Sequence, residues 1–182
     1  IDELDILRAL DIGMHGIQIP NVENSADVLN IVNYAKYPPI GERGFSPFTR
    51  LGSYSNKNAS MHTDLANRDT LIGINIESKN ALDNIESILQ IDELDMVFIG
   101  LYDLSKSLGI PGQINHDLVQ NKLTEVVNKI NDSGKYSGTI ATDKASLKKY
   151  KDIGVKYILY LVDCMILENG FSIPVEELKA LS

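Results

Sequence analysis

The chain has 182 residues, 43% hydrophobic and 23% charged, with a formal net charge of −8 at pH 7. That length suits one domain with a sizeable core. The acidic balance argues against nucleic acid, whose phosphates need basic patches, and against an anionic membrane surface. Small anionic substrates stay open, because a local cation or arginine outweighs the global field. The single cysteine, Cys164, allows no intrachain disulfide and fits a reducing compartment. No apolar run approaches the roughly 20 residues needed to span a bilayer. The opening Ile1-Asp2-Glu3-Leu4 is acidic where a signal peptide would be basic, so a cytoplasmic location is expected.

In chain order, Leu4, Leu7 and Leu10 share one helical face, closed by Gly13 as a left-handed C-cap. The chain thus opens without Met and already in a helical pattern, which leads us to expect a preceding segment. Gly16–Pro20 is a short apolar run of the kind that forms a buried parallel strand. Val28, Ile31 and Val32 mark a second helix with Ser25 as its N-cap. The stretch from Tyr37 to Thr63, with Pro38-Pro39, Gly41, Gly44 and Gly52, reads as a long connecting loop with one short helix. Leu71–Ile76 is the next strand, and Ala81, Ile85, Ile88 and Leu89 form one apolar helical stripe. Met96–Gly100 is a third strand, followed by a helix from Leu118 to Ile130 that ends before Gly134. Tyr136–Ala141 is a fourth strand, then a helix from Leu147 to Ile153 ending before Gly154. Lys156–Val162 is a fifth. Finally, Ile173-Pro174-Val175 reads as a helix start, with Val175, Leu178 and Leu181 as a short stripe.

Strands alternating with helices indicate a parallel α/β sheet. A doubly wound nucleotide-binding fold should carry a Gly-rich turn after its first strand, and neither G-x-G-x-x-G nor G-x-x-x-x-G-K-[ST] occurs. Polar residues instead follow several strands: Asn75 and Glu77, Asp103, Thr142 and Asp143, then Asp163. Chemistry spread over many strand ends is the (β/α)₈ TIM-barrel arrangement. Five strands are visible where a barrel has eight in about 250 residues. Residues 1–182 are therefore read as a single barrel domain truncated to about strands 4 to 8, the C-terminal two-thirds, with roughly three βα units upstream. Its first and last strands would be unpaired edges.

The strongest local signal is the pair Glu77 and Asp103, just past two consecutive strands. Neighbouring parallel strands lie about 4.8 Å apart, so both carboxylates open onto one cavity. Two ionised carboxylates that close repel unless a cation sits between them or one is protonated. One or two carboxylates with waters and substrate oxygens is the coordination expected of Mg²⁺ or Mn²⁺. The competing reading is structural: Glu77 caps the helix starting near Ser78, and Asp103 caps the turn at Leu104-Ser105. Spacing alone does not decide between them.

The surrounding residues do. Asp103-Leu104-Ser105-Lys106-Ser107-Leu108-Gly109-Ile110-Pro111-Gly112-Gln113 with His116 resembles the D-L-S-x-S-L-G-x-P-G-Q-x-x-H segment of the HpcH/HpaI aldolase family. Ile74-Asn75-Ile76-Glu77-Ser78-Lys79-Asn80-Ala81 resembles its I-Q-I-E-[ST]-x-x-A strand end. Ile17-Gln18-Ile19-Pro20 with Val22, and Tyr37-Pro38-Pro39-Ile40-Gly41-Glu42-Arg43-Gly44, resemble its strand-four and Y-P-P-x-G-x-R-G elements. The likeness runs from about Asp11 to Asp163. It implies that Glu77 and Asp103 ligate a divalent metal (Mg²⁺, Mn²⁺ or Co²⁺). It further implies that Asn75, Leu101, Tyr102 and Asp103 bind the substrate, the backbone from Gly100 to Asp103 taking the carboxylate of a pyruvate-like molecule. The implied reaction is cleavage of 4-hydroxy-2-oxo acids to pyruvate and an aldehyde, in a homo-oligomer (trimer or hexamer). Asn75 stands where the family usually has Gln, and Leu101 where Pro is common. The family's arginine and acid/base histidine come from earlier strands, so no catalytic residue is assigned in this chain. A citrate-lyase or malyl-CoA-lyase-like activity shares the two ligands, but the Asp103–Gln113 wording favours the aldolase. A degenerate barrel acting as an interaction module is the reading of another class.

Other residues are expected to be structural. His15, His62 and His116 have no metal-ligand spacing, and His116 suits a helix start. Arg43 and Arg50 are expected to brace loops or lie on the surface, and Cys164 to be a buried apolar thiol. Lys144, Lys148, Lys149 and Lys151 form a solvated helix face.

Overall fold

The apolar runs become strands, and each pairs in parallel with the next. The computed structural model describes residues 1–181 apart from 56 and 58. Strands β1 (Gly16–Ile19), β2 (Leu71–Ile76), β3 (Met96–Ile99), β4 (Tyr136–Ala141) and β5 (Tyr157–Tyr160) form one sheet in the order β1-β2-β3-β4-β5. Helix α1 (Glu3–Asp11) precedes β1, and α2 (Ser25–Ala35) and α3 (Ala59–Asp69) lead to β2. Then α4 (Lys79–Asp83) and α5 (Ile85–Leu89) lead to β3, and α6 (Leu101–Ser107) and α7 (Asp117–Asp132) to β4. Helix α8 (Lys144–Asp152) leads to β5, and α9 (Asp163–Ala180) follows it. Consecutive parallel strands joined by crossover helices are a segment of barrel wall, with β1 and β5 as its edges.

Strand alternation sorts the side chains onto two faces. Ile72, Ile74, Ile76, Val97 and Ile99 are fully buried under the helices, in one core with Val28, Ile31, Ile88, Leu104, Val119 and Leu123. Each such side chain contributes roughly 1.5–3 kcal/mol of burial. The alternate residues face the barrel interior: Gly16 and Gln18 on β1, Leu71, Gly73 and Asn75 on β2, Met96 and Phe98 on β3. Met96 Cε fills the space over Gly73, 2.7 Å from where a Cβ would stand.

Several local expectations are corrected. The buried face of α1 is Ile6 and Leu10, not Leu4, Leu7 and Leu10. Asp2 caps this helix, so Leu4 falls in the first turn and is exposed. The N-cap of α2 is Asn24 rather than Ser25, because Asn24 and Asp27 satisfy each other's backbone N–H groups in a capping box. The stripe from Ala81 to Leu89 is two helices, broken at Asn84, whose side-chain amide donates to the Asn80 and Glu23 carbonyls. The loop expected from Tyr37 to Thr63 ends earlier, at α3, and its residues 56 and 58 lie outside the described residues. Helix α9 starts at Asp163, not near Ile173, carries Pro174 within it and buries no residue. Cys164 is accordingly exposed, because its helix presents no face to the core. Gly13, Gly134 and Gly154 do end helices with φ of 93°, 81° and 90°.

Asp11 fastens the long connection between α2 and α3 at two points. Its Oδ1 accepts from Arg43 Nη2 at 2.7 Å, and its backbone carbonyl accepts from Leu51 N at 3.3 Å. The Arg43 side chain is fully buried, with its guanidinium 4.7 Å from the centre of the Tyr37 ring. Arg43 therefore braces the loop as expected, though from inside; Arg50 is exposed.

Candidate functional site

The site forms where β2 and β3 leave the sheet. Their register pairs Asn75 with Phe98 and Ile76 with Ile99, and Gly100 N donates to Ile76 O at 3.1 Å. Glu77 thus emerges beside Gly100. A Cβ on Gly100 would stand 2.7 Å from Glu77 Cγ and 3.2 Å from Oε1, so the bare glycine is the floor on which Glu77 rests. Above it, Asn75 Nδ2 donates to Glu77 Oε1 at 2.6 Å, and Gln18 Nε2 donates to Asn75 Oδ1 at 2.7 Å.

The capping alternatives for the two carboxylates fail on geometry. Ser78, not Glu77, caps α4, accepting from Ala81 N at 3.0 Å. Ser78 Oγ also donates to Glu23 Oε2, which accepts from Asn80 Nδ2 as well. The N-cap of α6 is Gly100, with no side-chain cap, and Asp103 lies inside the first turn. The partner of Asp103 is Lys106 at 3.7 Å, and both side chains are mostly exposed. Pairs like this add little and leave the carboxylate available.

The other strand-end acids are occupied differently. Asp143 caps α8 in a box with Ser146, and the backbone N–H of Ser146 holds its carboxyl below the usual range. Asp163 accepts from Cys164 N at 2.8 Å at the start of α9. Of the polar strand ends, Asn75 and Glu77 are thus held by side chains of the inner face, whereas Asp143 and Asp163 serve backbone.

The residues expected to bind substrate divide in the same way. Asn75 is half-buried on the inner face, next to Glu77. The Leu101 side chain is fully buried in the core, so only its backbone can meet a ligand. Tyr102 and Asp103 are exposed in the first turn of α6. Gln18 is the residue that sequence reasoning passed over. Its signal was a polar residue at an inward position of an apolar strand. His116 is the N-cap of α7, its Nδ1 accepting from Leu118 N at 3.1 Å, and Lys144, Lys148, Lys149 and Lys151 are exposed as expected. Among the described residues no three His, Cys, Asp or Glu side chains cluster as a metal site. No helix among them is long and apolar enough to cross a membrane. An apolar cavity of about 390 Å³ lies toward the opposite ends of the strands, between Gly16, Leu71, Met96, Tyr136 and Tyr157.

Comparison with known proteins bears on the family and the fold. The family model HpcH/HpaI aldolase/citrate lyase matches residues 2–167. The chain is 33% identical over 170 residues to a 4-hydroxy-2-oxo-heptane-1,7-dioate aldolase of Salmonella typhimurium, covering 93% of this chain and 64% of that enzyme. It is 33% identical over 176 residues to a hydroxypyruvate/pyruvate aldolase of Roseobacter denitrificans, covering 92% and 66%. The crystal structure of an HpcH/HpaI aldolase from Desulfitobacterium hafniense superposes with a TM-score of 0.92 at 30% identity, over 98% of this chain and 69% of that one. The chain therefore spans about two thirds of the length of these relatives, and its five parallel strands are a segment of their barrel. By the family match, the aldolase identities and the superposition together, the chain belongs to the HpcH/HpaI aldolase/citrate lyase family.

Proposed function

We propose that residues 1–182 are the C-terminal two-thirds of one barrel domain of a divalent-metal-dependent carbon–carbon lyase that cleaves 4-hydroxy-2-oxo acids to pyruvate and an aldehyde. The observation that carries this is Glu77. Its capping role is taken by Ser78, its Oε1 is held by Asn75, and it rests on Gly100 at the head of the helix that bears Asp103. Glu77 and Asp103 are the ligands. The donor set fits Mg²⁺, Mn²⁺ or Co²⁺: two carboxylates supply hard oxygens and leave positions for water and substrate. When bound, such a cation supplies Lewis-acid polarisation of the 2-oxo group and offsets the charge that builds as the carbon–carbon bond breaks.

The chain's own residues bind and orient. The backbone N–H groups at the start of α6, around Leu101, Tyr102 and Asp103, lack intrahelical acceptors and suit a substrate carboxylate. Asn75 fixes the Glu77 carboxylate, and Tyr102 borders the opening. Isothermal calorimetry tests the assignment. Mn²⁺ should bind the protein and lose its affinity in Glu77→Gln and Asp103→Asn, whereas unchanged binding in both would remove the site.

The same reading makes the protein a cytoplasmic homo-oligomer, a trimer or hexamer. Helix α9 leaves Ile166, Leu167, Phe171, Ile173, Val175 and Leu178 exposed, more apolar surface than a lone helix normally leaves in water. Deleting residues 174–182, of which Ser182 lies outside the described residues, should shift the protein to smaller species in light scattering. An unchanged mass would put the interface elsewhere.

A further inference from the structure

The inner wall of the sheet is apolar at Leu71, Met96 and Phe98, yet β1 places a glutamine on it. Gln18 pairs in register with Gly73, the one residue of β2's inner row without a side chain. With no side chain on Gly73 itself, the Gln18 side chain can lean along the wall to its diagonal neighbour, Asn75, a reach that suits a long side chain. There its Nε2 donates to Asn75 Oδ1 at 2.7 Å, while Asn75 Nδ2 donates to Glu77 Oε1 at 2.6 Å.

The direction of these bonds matters. A primary amide turned by half a revolution exchanges its donor and acceptor ends. Asn75 can orient Glu77 only with its nitrogen toward the carboxylate; the reverse would set two acceptor oxygens against each other. The Glu77 carboxylate, which can only accept, sets that direction, and Gln18, with its donor on the Asn75 carbonyl, secures Asn75 in it. We propose that Gln18 is a positioning residue which, through Asn75, holds the Glu77 carboxylate in the orientation that receives the cation. This rests on the proposed metal role of Glu77, and it adds a third strand to the construction of the site.

The experiment is a double-mutant cycle with two readouts on the whole chain. The first is Mn²⁺ affinity by calorimetry in Gln18→Met, Asn75→Leu and the double variant, with melting temperature as a control. Gln18→Met should weaken Mn²⁺ about tenfold without moving the melting temperature, in line with loss of an outer partner of a ligand. The double variant should bind no worse than Asn75→Leu, since Gln18 acts only through Asn75. Additive losses, or wild-type affinity in Gln18→Met, would overturn the proposal. The second readout is the side-chain NH₂ resonance pair of Asn75 in metal-free protein. It should be shifted from random-coil values and slow to exchange with solvent in the wild type, and move toward random-coil shifts with faster solvent exchange in Gln18→Met. If the wild type binds no Mn²⁺, the ligand role of Glu77 fails, and the amide pair alone judges the relay: a move toward random-coil shifts in Gln18→Met upholds it, an unmoved pair refutes it.

Discussion

The two ends of the sheet use similar polar groups for opposite purposes. At the N-terminal end, side chains bind backbone. Lys36 Nζ donates to the Asn67 and Thr70 carbonyls at 2.7 and 2.6 Å, just ahead of β2. Lys135 Nζ does the same to Ile91 and Leu94 at 2.6 and 2.8 Å, just ahead of β3. Asn131 Nδ2 donates to Gly154 O before β5, and Asp95 Oδ2 accepts from Ile72 N at 2.7 Å. At the C-terminal end Asp143 and Asp163 still serve backbone, but Gln18, Asn75 and Glu77 bind one another, and Asp103 stands in solvent. Groups spent on the backbone lock the chain's entry into each strand. Groups that bind each other keep an unshared oxygen for a ligand. That division is what a barrel requires when one rim provides stability and the other chemistry.

This contrast can be broken from either side. The largest expected effect is at the C-terminal rim. Glu77→Gln or Asp103→Asn should lower Mn²⁺ affinity by about 100-fold or more, beyond the 10–100-fold typical of outer partners, with little change in melting temperature. A large loss of stability in either variant would mean that the rim is structural after all.

Next comes Lys36→Met, which leaves two carbonyls without their donor. It should cost about 2 kcal/mol in urea unfolding, with Mn²⁺ affinity unchanged. Weaker metal binding there would show the two ends to be coupled.

Gly100→Ala is the sharpening test, since its methyl group would enter the space of Glu77 Cγ. Roughly tenfold weaker Mn²⁺ binding is expected, in the range seen when a ligand's support is disturbed. Wild-type affinity would show that Glu77 can move freely.

The smallest effect is a pH dependence. Burial lowers the pKa of Lys36 and Lys135 from 10.5, against the opposing pull of Asp95 and Asp92 respectively. The folded protein therefore releases these protons before the unfolded chain does, and stability should rise with pH through the interval below 10.5. Burial raises the pKa of Tyr37 and Tyr150 from 10.0, which acts the other way: their contribution is lost as pH climbs past that value. Urea midpoints between about pH 8 and 10 should lose their upward slope in a Lys36→Met, Lys135→Met double variant. A slope that persists would place its origin elsewhere.

Much of this division was legible in the sequence, for physical reasons. Buried parallel strands are continuous apolar runs, so Leu71–Ile76 and Tyr136–Ala141 could be placed to the residue. Glu77 and Asp103 stood out because a charged residue right after such a run has to emerge at the rim. What escaped depends on contacts between distant segments. Gln18 acquires its meaning only from Asn75, 57 residues away, and Lys36 from Thr70, 34 residues away. Helix α9 was misread for a different reason. Pro174 suggested a helix start near Ile173, yet the helix already runs from Asp163 and passes through it. Asn84 broke a stripe that the hydrophobic spacing had left whole, because a side-chain amide competed with the helix for its own carbonyls.

Asp11 carries a consequence for how this chain can diverge. By holding Arg43 with its carboxylate and Leu51 with its carbonyl, it closes residues 44–50 into a small bay whose two shores are moored to α1. Lengthening a segment with fixed ends is cheap: doubling such a loop costs only about 0.6 kcal/mol in closure entropy. Insertions there would leave the strands, the rim and the Gln18–Asn75–Glu77 relay where they are. The bay is thus the place where a descendant could acquire a new surface without disturbing its chemistry, provided that Asp11 and Arg43 are kept.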